Sequence, residues 1–398
     1  MIYLDYNATT PIDPRVLEKM MPFLEGEYGN AASRDHALGW NAADAVEEAR
    51  YHVAELINAK SAEIIFTSGA TESINMALKG LAWAAASPKR RIVTSVAEHE
   101  AVLGVCRQLA KWGEAEVQYL SVDSSALVDA GNLERALEGR ADSVVAIMAA
   151  NNEIGTINPV VELAAIAHAV GSLFFTDATQ AMGKIPVDVR EAGADLLAFS
   201  SHKVYGPKGV GALFVSAREP RIELEPLIIG GDHERGLRAG TANVAGIVGF
   251  GEACRLAKLE LSEEAERIRG LRDSFEARLA NAVTGLRVNA ARAKRLPGTA
   301  NLVFPGVDAR ALLRDAWYIA ASTKSACSSG DSRPSHVLEA IGLSTDDAYS
   351  AVRFCVGRFT TDGDLEDAIA TIATSVLRLD KGLGSMDPPF GGGQHNHG

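Results

Sequence analysis

Between about residues 60 and 215, short apolar runs alternate with amphipathic stretches, and no other feature restricts the fold as much. The runs at 63–67, 91–95, 117–122, 143–148, 172–176, 195–200 and 211–215 read as buried strands. Helical patterns such as 71–85 and 161–170 lie between several of them. That alternation predicts an α/β fold, a mostly parallel sheet with helices on both faces. From 241 to 283 the pattern is largely helical and passes from an apolar segment (245–257) to a charged one (260–278), as in a helix leaving the large domain. The remainder mixes strands at 301–304, 319–322 and 351–356 with helices at 309–316 and 365–379, a smaller α+β domain. A chain of 398 residues is long for one core and fits two domains. The tail 385–398, with Pro388-Pro389 and Gly391-Gly392-Gly393, is expected to be disordered.

Hydrophobic residues make up 47% of the chain, enough for a sizeable interior, while the net charge is −12 with no long basic run. Bulk electrostatics therefore argue against direct nucleic-acid binding. The first residues carry neither a basic nor an apolar leader segment, and no stretch of 18 uncharged apolar residues exists, so neither a signal peptide nor a membrane helix is expected. Cys106, Cys254, Cys327 and Cys355 are scattered without CxxC spacing. That fits a reduced cytoplasm better than a disulfide framework and argues against a zinc site.

Two polar segments follow strand-like runs directly. Asp177-Ala178-Thr179-Gln180 follows 171–175, and Lys203, 23 residues after Gln180, follows 194–199. Groups at the carboxyl ends of sheet strands are what an open α/β sheet offers a ligand. A lysine there is either an ordinary cation or a carbonyl-trapping amine. With an aspartate that can face a protonated ring nitrogen, the pair points to a pyridoxal 5'-phosphate (PLP) Schiff base. Asp177 could instead be a helix cap. Gln180 could bond the ring's phenolic oxygen. The small residues from Thr67 to Ser73 sit at a strand-to-helix turn and suit an anion at a helix N-terminus, or a plain N-cap. His99 follows another strand and is either structural or a ring-stacking proton carrier. Asn151-Asn152-Glu153-Ile154-Gly155 is a turn, or places an amide on the cofactor or substrate. The segment 230–236, before Thr241, reads as a flexible polar loop or a linker. Arg353 lies inside the apolar run 351–356, where a charge needs a partner. A substrate carboxylate clamp and an internal salt bridge both satisfy it. Cys327 lies among small residues, whereas the other three cysteines fall in core-like patterns, which makes Cys327 the candidate reactive thiol.

Taken together, these residues resemble the cysteine desulfurases of the NifS/IscS type, class V of the PLP-dependent aminotransferase superfamily. The resemblance runs from the Tyr3–Pro11 segment to about Thr361. It includes Phe66–Ser73, Glu98-His99, Asn151–Gly155, Asp177–Gln180, His202–Gly209 and His233–Gly236. It implies the fold-type-I aminotransferase architecture and a homodimer. The large PLP domain would span about 15–258, and both chain ends (1–14 and 259–384) would form the small one. It implies that Lys203 carries the cofactor, Asp177 faces the pyridine nitrogen, Gln180 and Asn152 lie near the phenolic oxygen, and His99 stacks on the ring. Ala70, Thr71, Ser200 and His202 would hold the phosphate, with Thr241 reaching it from the partner subunit. Arg353 and Asn152 would hold the carboxylate of L-cysteine. Cys327 would take the sulfur as a persulfide and pass it to an acceptor protein, alanine being the other product. Relatives serve iron–sulfur cluster assembly, tRNA thiolation or DNA phosphorothioation. The residues alone also allow a PLP lyase releasing sulfide or selenium without an essential persulfide, or a catalytically silent sulfur-assembly partner. Two departures from the family pattern are Lys324, where a glycine is usual, and Gly29-Asn30-Ala31, where Gly-Asn-Pro is frequent.

Overall fold

The computed structural model describes residues 1–84, 90–140, 142–323 and 333–381. The chain opens on β1 (Ile2–Tyr3) and reaches α1 (Pro14–Glu25), whose start is set by two local devices. The Asp13 side chain accepts from Arg15 N, and Pro14 takes the first turn, where its missing N–H has no partner to lose. The helix α2 (Ala37–Leu56) follows.

Strands and helices then alternate. They are β2 (Ile64–Thr67), α3 (Ala70–Ala84), β3 (Arg90–Ser95), α4 (Glu100–Trp112), β4 (Ala115–Leu120), α5 (Ala130–Leu137), β5 (Ser143–Ala146), α6 (Val160–Ala169), β6 (Leu173–Asp177), β7 (Leu196–Ser200) and β8 (Gly211–Val215). Seven of these strands form one sheet in the order β2-β8-β7-β6-β5-β3-β4. All neighbours from β7 to β4 are parallel, and β8 runs antiparallel to both β7 and β2. The expected mostly parallel sheet is present. The run at 117–122 sits two residues earlier, as Ala115–Leu120, and the run at 143–148 ends at Ala146. Successive side chains of β7 enter opposite layers. Leu197 and Phe199 pack with residues of α1 and α2, whereas Leu196 and Ala198 pack with residues of α3 and α4. Both faces are thus covered, which is why these strands read as continuous apolar runs rather than alternating ones.

The 39-residue α7 (Val244–Ala282), roughly 60 Å long at 1.5 Å per residue, joins two cores. Its Ile247, Phe250 and Cys254 pack with α1, α2 and the large sheet, and its Ile268, Leu271, Phe275 and Leu279 enter a second core. That core is built by β9 (Arg287–Val288), β10 (Thr299–Val303), α8 (Ala309–Asp315), β11 (Ile319–Ala320), β12 (Ala351–Cys355) and α11 (Asp362–Asp380), while α9 (His336–Ala340) and α10 (Thr345–Tyr349) pack in a separate apolar cluster with Ala97, Ile154 and Val303. An antiparallel sheet β12-β10-β9 lies at its centre. β1 pairs in parallel with β11, so Ile2 and Leu4 from the chain start are buried there too. No helix among the described residues is long and apolar enough to cross a membrane.

Candidate active site

β6 ends on Asp177, a buried carboxylate whose Oδ1 accepts from Thr179 N at 2.9 Å. The chain turns there instead of entering a regular helix, so Asp177 organises a turn and does not cap a helix. Among the described residues no cation pairs with it. A buried carboxylate without a cation is costly, so this position suits a ligand that brings a protonated nitrogen.

The neighbouring β7 continues into a short 3₁₀ turn, Ser201–Lys203. Lys203 Nζ donates to the backbone oxygens of Asn7 (2.5 Å) and Ala8 (2.7 Å). The turn is held from several sides. Tyr205 adopts a left-handed backbone (φ +65°), its N–H donates to Thr10 Oγ1, its carbonyl accepts from Asp13 N, and its hydroxyl oxygen accepts from Arg358 N. Gly206 admits the tight packing, because a Cβ there would lie 2.0 Å from Ser201 Oγ and 3.2 Å from Ala253 Cβ. The lysine is therefore positioned by residues from both ends of the chain.

Opposite this turn, β2 delivers the start of α3. Gly69, at φ +151°, makes the strand-to-helix connection, and a Cβ on Gly211 of β8 would approach Gly69 Cα to 2.6 Å. The first N–H groups of a helix lack partners within it, and they favour an anion. Ser68, Gly69, Ala70 and Thr71 line the same cavity as Ser200 and His202. Burial, reinforced by the Lys203, Lys208 and Lys184 cations, pushes the His202 imidazole down to about 4, so it is neutral at pH 7. Its Nδ1 meets Thr9 Oγ1 at 3.0 Å. Glu72, also in the lining, is opposed by burial, but Arg238 and the hydroxyl and N–H of Ser68 outweigh this and keep it ionised.

His99 caps α4 through Nδ1, which accepts from Ala101 N at 3.1 Å and leaves the neutral ring's proton on Nε2. Arg353 on β12 is 2% exposed. It donates to Asp5 Oδ1 (2.6 Å) and Asn152 O (3.1 Å), and its buried Nε has no partner among the described residues. Both readings offered by the sequence thus meet here: an internal ion pair exists, and the same side chain lines the cavity.

The cavity measures about 450 Å³ and brings together Ala70, Thr71, His99, Asn152, Asp177, Gln180, Ser200, His202, Lys203 and Arg353. That volume suits a small cofactor with an amino acid beside it. Thr241 lines a different cavity, about 520 Å³, which shares Ser68 and Gly209 with the first. Cys327 and Lys324 lie outside the described residues. The cavity also includes Asn7, Ala8, Thr9, Glu72 and Lys208, for which residue-level reading found no role. The signal that could have found them is their place inside segments that carry the resemblance, Tyr3–Pro11 for Asn7, Ala8 and Thr9, Phe66–Ser73 for Glu72 and His202–Gly209 for Lys208. The segment 230–236 is tied down rather than loose. Glu234 forms an ion pair with Arg50 (2.7 Å) and accepts from Phe66 N (2.9 Å), fastening the segment to β2. Cys106, Cys254 and Cys355 are all buried free thiols, as their apolar surroundings predicted. Burial pushes the Cys106 thiol up to about 12.

Residues 2–367 match the family model described as aminotransferase class-V. A cysteine desulfurase IscS of Anaeromyxobacter sp. (strain Fw109-5) is 47% identical over 379 residues, spanning 95% of this chain and 93% of that protein. A solved structure of a NifS-like protein superposes with a TM-score of 0.87 at 37% identity, covering 95% of this chain and 99% of that one. Another, SspA in complex with cysteine, gives 0.80 at 34% identity, covering 91% and 100%.

Proposed function

The chain belongs to the aminotransferase class-V family, and from that premise we infer that it works as a PLP-dependent cysteine desulfurase. The observation that carries this reading is the convergence, in one cavity, of a buried carboxylate with no cation among the described residues at the end of β6, a lysine amine after β7 and the N-terminus of α3. These are the three anchoring points that a pyridine nitrogen, an aldehyde and a phosphate require. When bound, PLP supplies an electron sink for a negative charge developing at the amino-acid Cα.

The chain's own groups do the rest. Lys203 would hold the aldehyde carbon and, once released by the substrate amine, would be placed to take the Cα proton at Nζ. Asp177 would keep a proton on the ring nitrogen. Gln180 and Asn152 would serve the phenolic oxygen. Ala70, Thr71, Ser200 and the neutral His202 would hold the phosphate. His99 would stack on the ring and move protons through Nε2. Arg353 and Asn152 take the carboxylate of L-cysteine, with Asp5 fixing the plane of the guanidinium. Cys327 accepts the sulfur: its thiolate attacks the substrate Sγ, the Cβ–Sγ bond breaks, and a proton replaces sulfur on Cβ. The products are alanine and a persulfide on Cys327, which an acceptor protein collects. We further read the protein as a homodimer in the cytoplasm. Thr241, exposed at the rim of a cavity adjoining the first, is available to the phosphate site of a second copy.

Borohydride reduction of the PLP-loaded protein, followed by peptide mapping, tests the anchoring. The adduct is expected on Lys203, and Lys203→Ala should carry none. An adduct on Lys208, which lines the same cavity, would overturn the assignment.

A further inference from the structure

Behind the cavity, a second lysine contacts the same elements as Lys203. After Asp177 the chain makes two consecutive turns, closed on Ala178 O and Ala181 O, that bring the Lys184 side chain back onto Gln180. Gly183, at φ +66°, packs this turn so closely that a Cβ would lie 2.9 Å from Val204 Cγ1 and 3.3 Å from Ala257 Cβ. Lys184 Nζ donates to Gln180 Oε1 at 2.6 Å and to Asn7 Oδ1 at 2.9 Å. Gln180 Nε2 donates to Asn7 O at 2.9 Å, the same carbonyl that accepts from Lys203 Nζ. Asn7 Nδ2 in turn donates to Asn152 O (3.2 Å) and Thr299 Oγ1 (3.0 Å).

The chemistry of an ammonium gives this arrangement direction. An amide side chain can present either its oxygen or its nitrogen, but an ammonium only donates and so accepts only oxygens as neighbours. We propose that Lys184 is a positioning residue: its ammonium orients the side-chain amides of Gln180 and Asn7, so that the Gln180 amide nitrogen is held as a donor beside Lys203. Lys184 is absent from the lining of the cavity and acts through these two amides. The inference rests on the reading of Lys203 and Gln180 as cofactor-binding residues, and it adds the group that fixes the polarity of Gln180.

The surroundings of Lys184 make its charge conditional. Burial pushes its amine down to about 7; the Lys203 and Arg353 cations act in the same direction, and Cys355 opposes them. Besides these, Tyr6, Tyr205 and Glu264 line the small cavity next to it. Loss of the proton would let the neutral amine accept as well as donate, and the polarity imposed on both amides would lapse.

The test reads the visible absorbance of the PLP–Lys203 linkage, titrated with pH in the absence of substrate. Lys184→Met removes a nearby cation and frees the Gln180 amide. Both effects disfavour loss of the proton from the linkage, so the titration midpoint should rise by about one unit, the usual scale for a neighbouring charge. Lys184→Arg, donor-only and cationic, should keep the wild-type midpoint. The shift caused by Lys184→Met should shrink in a Gln180→Ala background, because part of it passes through that amide. An unchanged midpoint in Lys184→Met, or an equal shift with and without Gln180, overturns the proposal. Should Lys184→Met fail to fold, Lys184→Gln makes the same comparison, since a neutral amide can present either end. Borohydride mapping of the same wild-type sample separates the two levels. An adduct missing from Lys203 defeats the site reading, and an adduct on Lys203 with an unshifted variant defeats only the role of Lys184.

Discussion

At the scale of single residues, the cavity is defined by charges whose partners are few and specific. Arg353 is the clearest case. Two of its donors are met by Asp5 and Asn152, and its Nε waits without a partner among the described residues. A buried arginine paired on one side only suits a substrate carboxylate on the other. Arg353→Ala should raise KM for L-cysteine while leaving the PLP spectrum intact, lowering kcat/KM by roughly one to two orders of magnitude. Steady-state kinetics beside a melting curve decide it. A collapsed Tm with KM unchanged in the surviving protein would make Arg353 purely a partner of Asp5. The sequence marked this arginine because a charge interrupts an apolar run. It did not mark Lys184, since one lysine in a short irregular turn interrupts no strand or helix pattern. Its significance lies in the contacts it makes with Asn7, far away in the chain.

At the scale of elements, the site depends on how strand ends are tied together. Glu98 follows β3 and is 1% exposed. Both of its oxygens accept from Met148 N, just beyond β5, and Oε1 also accepts from Ser95 Oγ at 2.8 Å. Burial pushes this carboxyl up to about 8. A folded-state value above the unfolded one means that the proton is bound preferentially by the folded protein. The stability this contributes is present below about 4.5, the ordinary glutamate range, and is lost as pH rises through about 8. Glu98→Gln keeps the hydrogen-bond geometry without the titration. Melting curves at pH 5 and pH 8 should therefore diverge less in Glu98→Gln than in wild type. An identical divergence in the two proteins would show that Glu98 is already ionised across that range. The strands and their order of appearance were legible in the sequence because both faces of the sheet are buried, which leaves long apolar runs. The strand ends shifted by a few residues because a strand ends where its neighbours stop pairing, which periodicity does not show. The anchoring of segment 230–236 was hidden for a related reason. Its glycines and charges look like a loop, but Glu234 is held by Arg50, a partner on α2.

At the scale of the whole molecule, two cores share one helix, and a buried ion network crosses between them. Arg358, just past β12, reaches Asp13 at the cap of α1 (2.7 Å) and Glu264 on α7 (2.7 Å), and its guanidinium lies 4.3 Å over the Tyr205 ring. The Arg15 side chain, opposed by burial and joined by Arg358, holds the Asp13 carboxyl well below the usual range. Because Tyr205 belongs to the turn that carries Lys203, the packing of the second core bears on the position of Lys203. Arg358→Ala should cost about 3 kcal/mol, the scale for breaking a buried pair, and should weaken PLP retention. Chemical denaturation and dialysis of the loaded variant measure the two effects. A loss below about 0.5 kcal/mol, the level of an exposed pair, would contradict the network's role. None of these contacts is visible in a linear pattern, since each joins residues from distant parts of the chain. The sequence did show the residue types at the strand ends, and the family resemblance gave those residues an expected chemistry.

The central claim is that sulfur leaves L-cysteine for Cys327 while alanine is released. Its most direct test is a single turnover of PLP-loaded protein with L-cysteine and no reductant, measuring alanine and mapping the extra sulfur by peptide mass spectrometry. Alanine is expected in proportion to protein, with the sulfur on Cys327, and almost no alanine from Cys327→Ser although that variant still binds PLP. Sulfur found on Cys106, Cys254 or Cys355, or alanine released equally by Cys327→Ser, would contradict it.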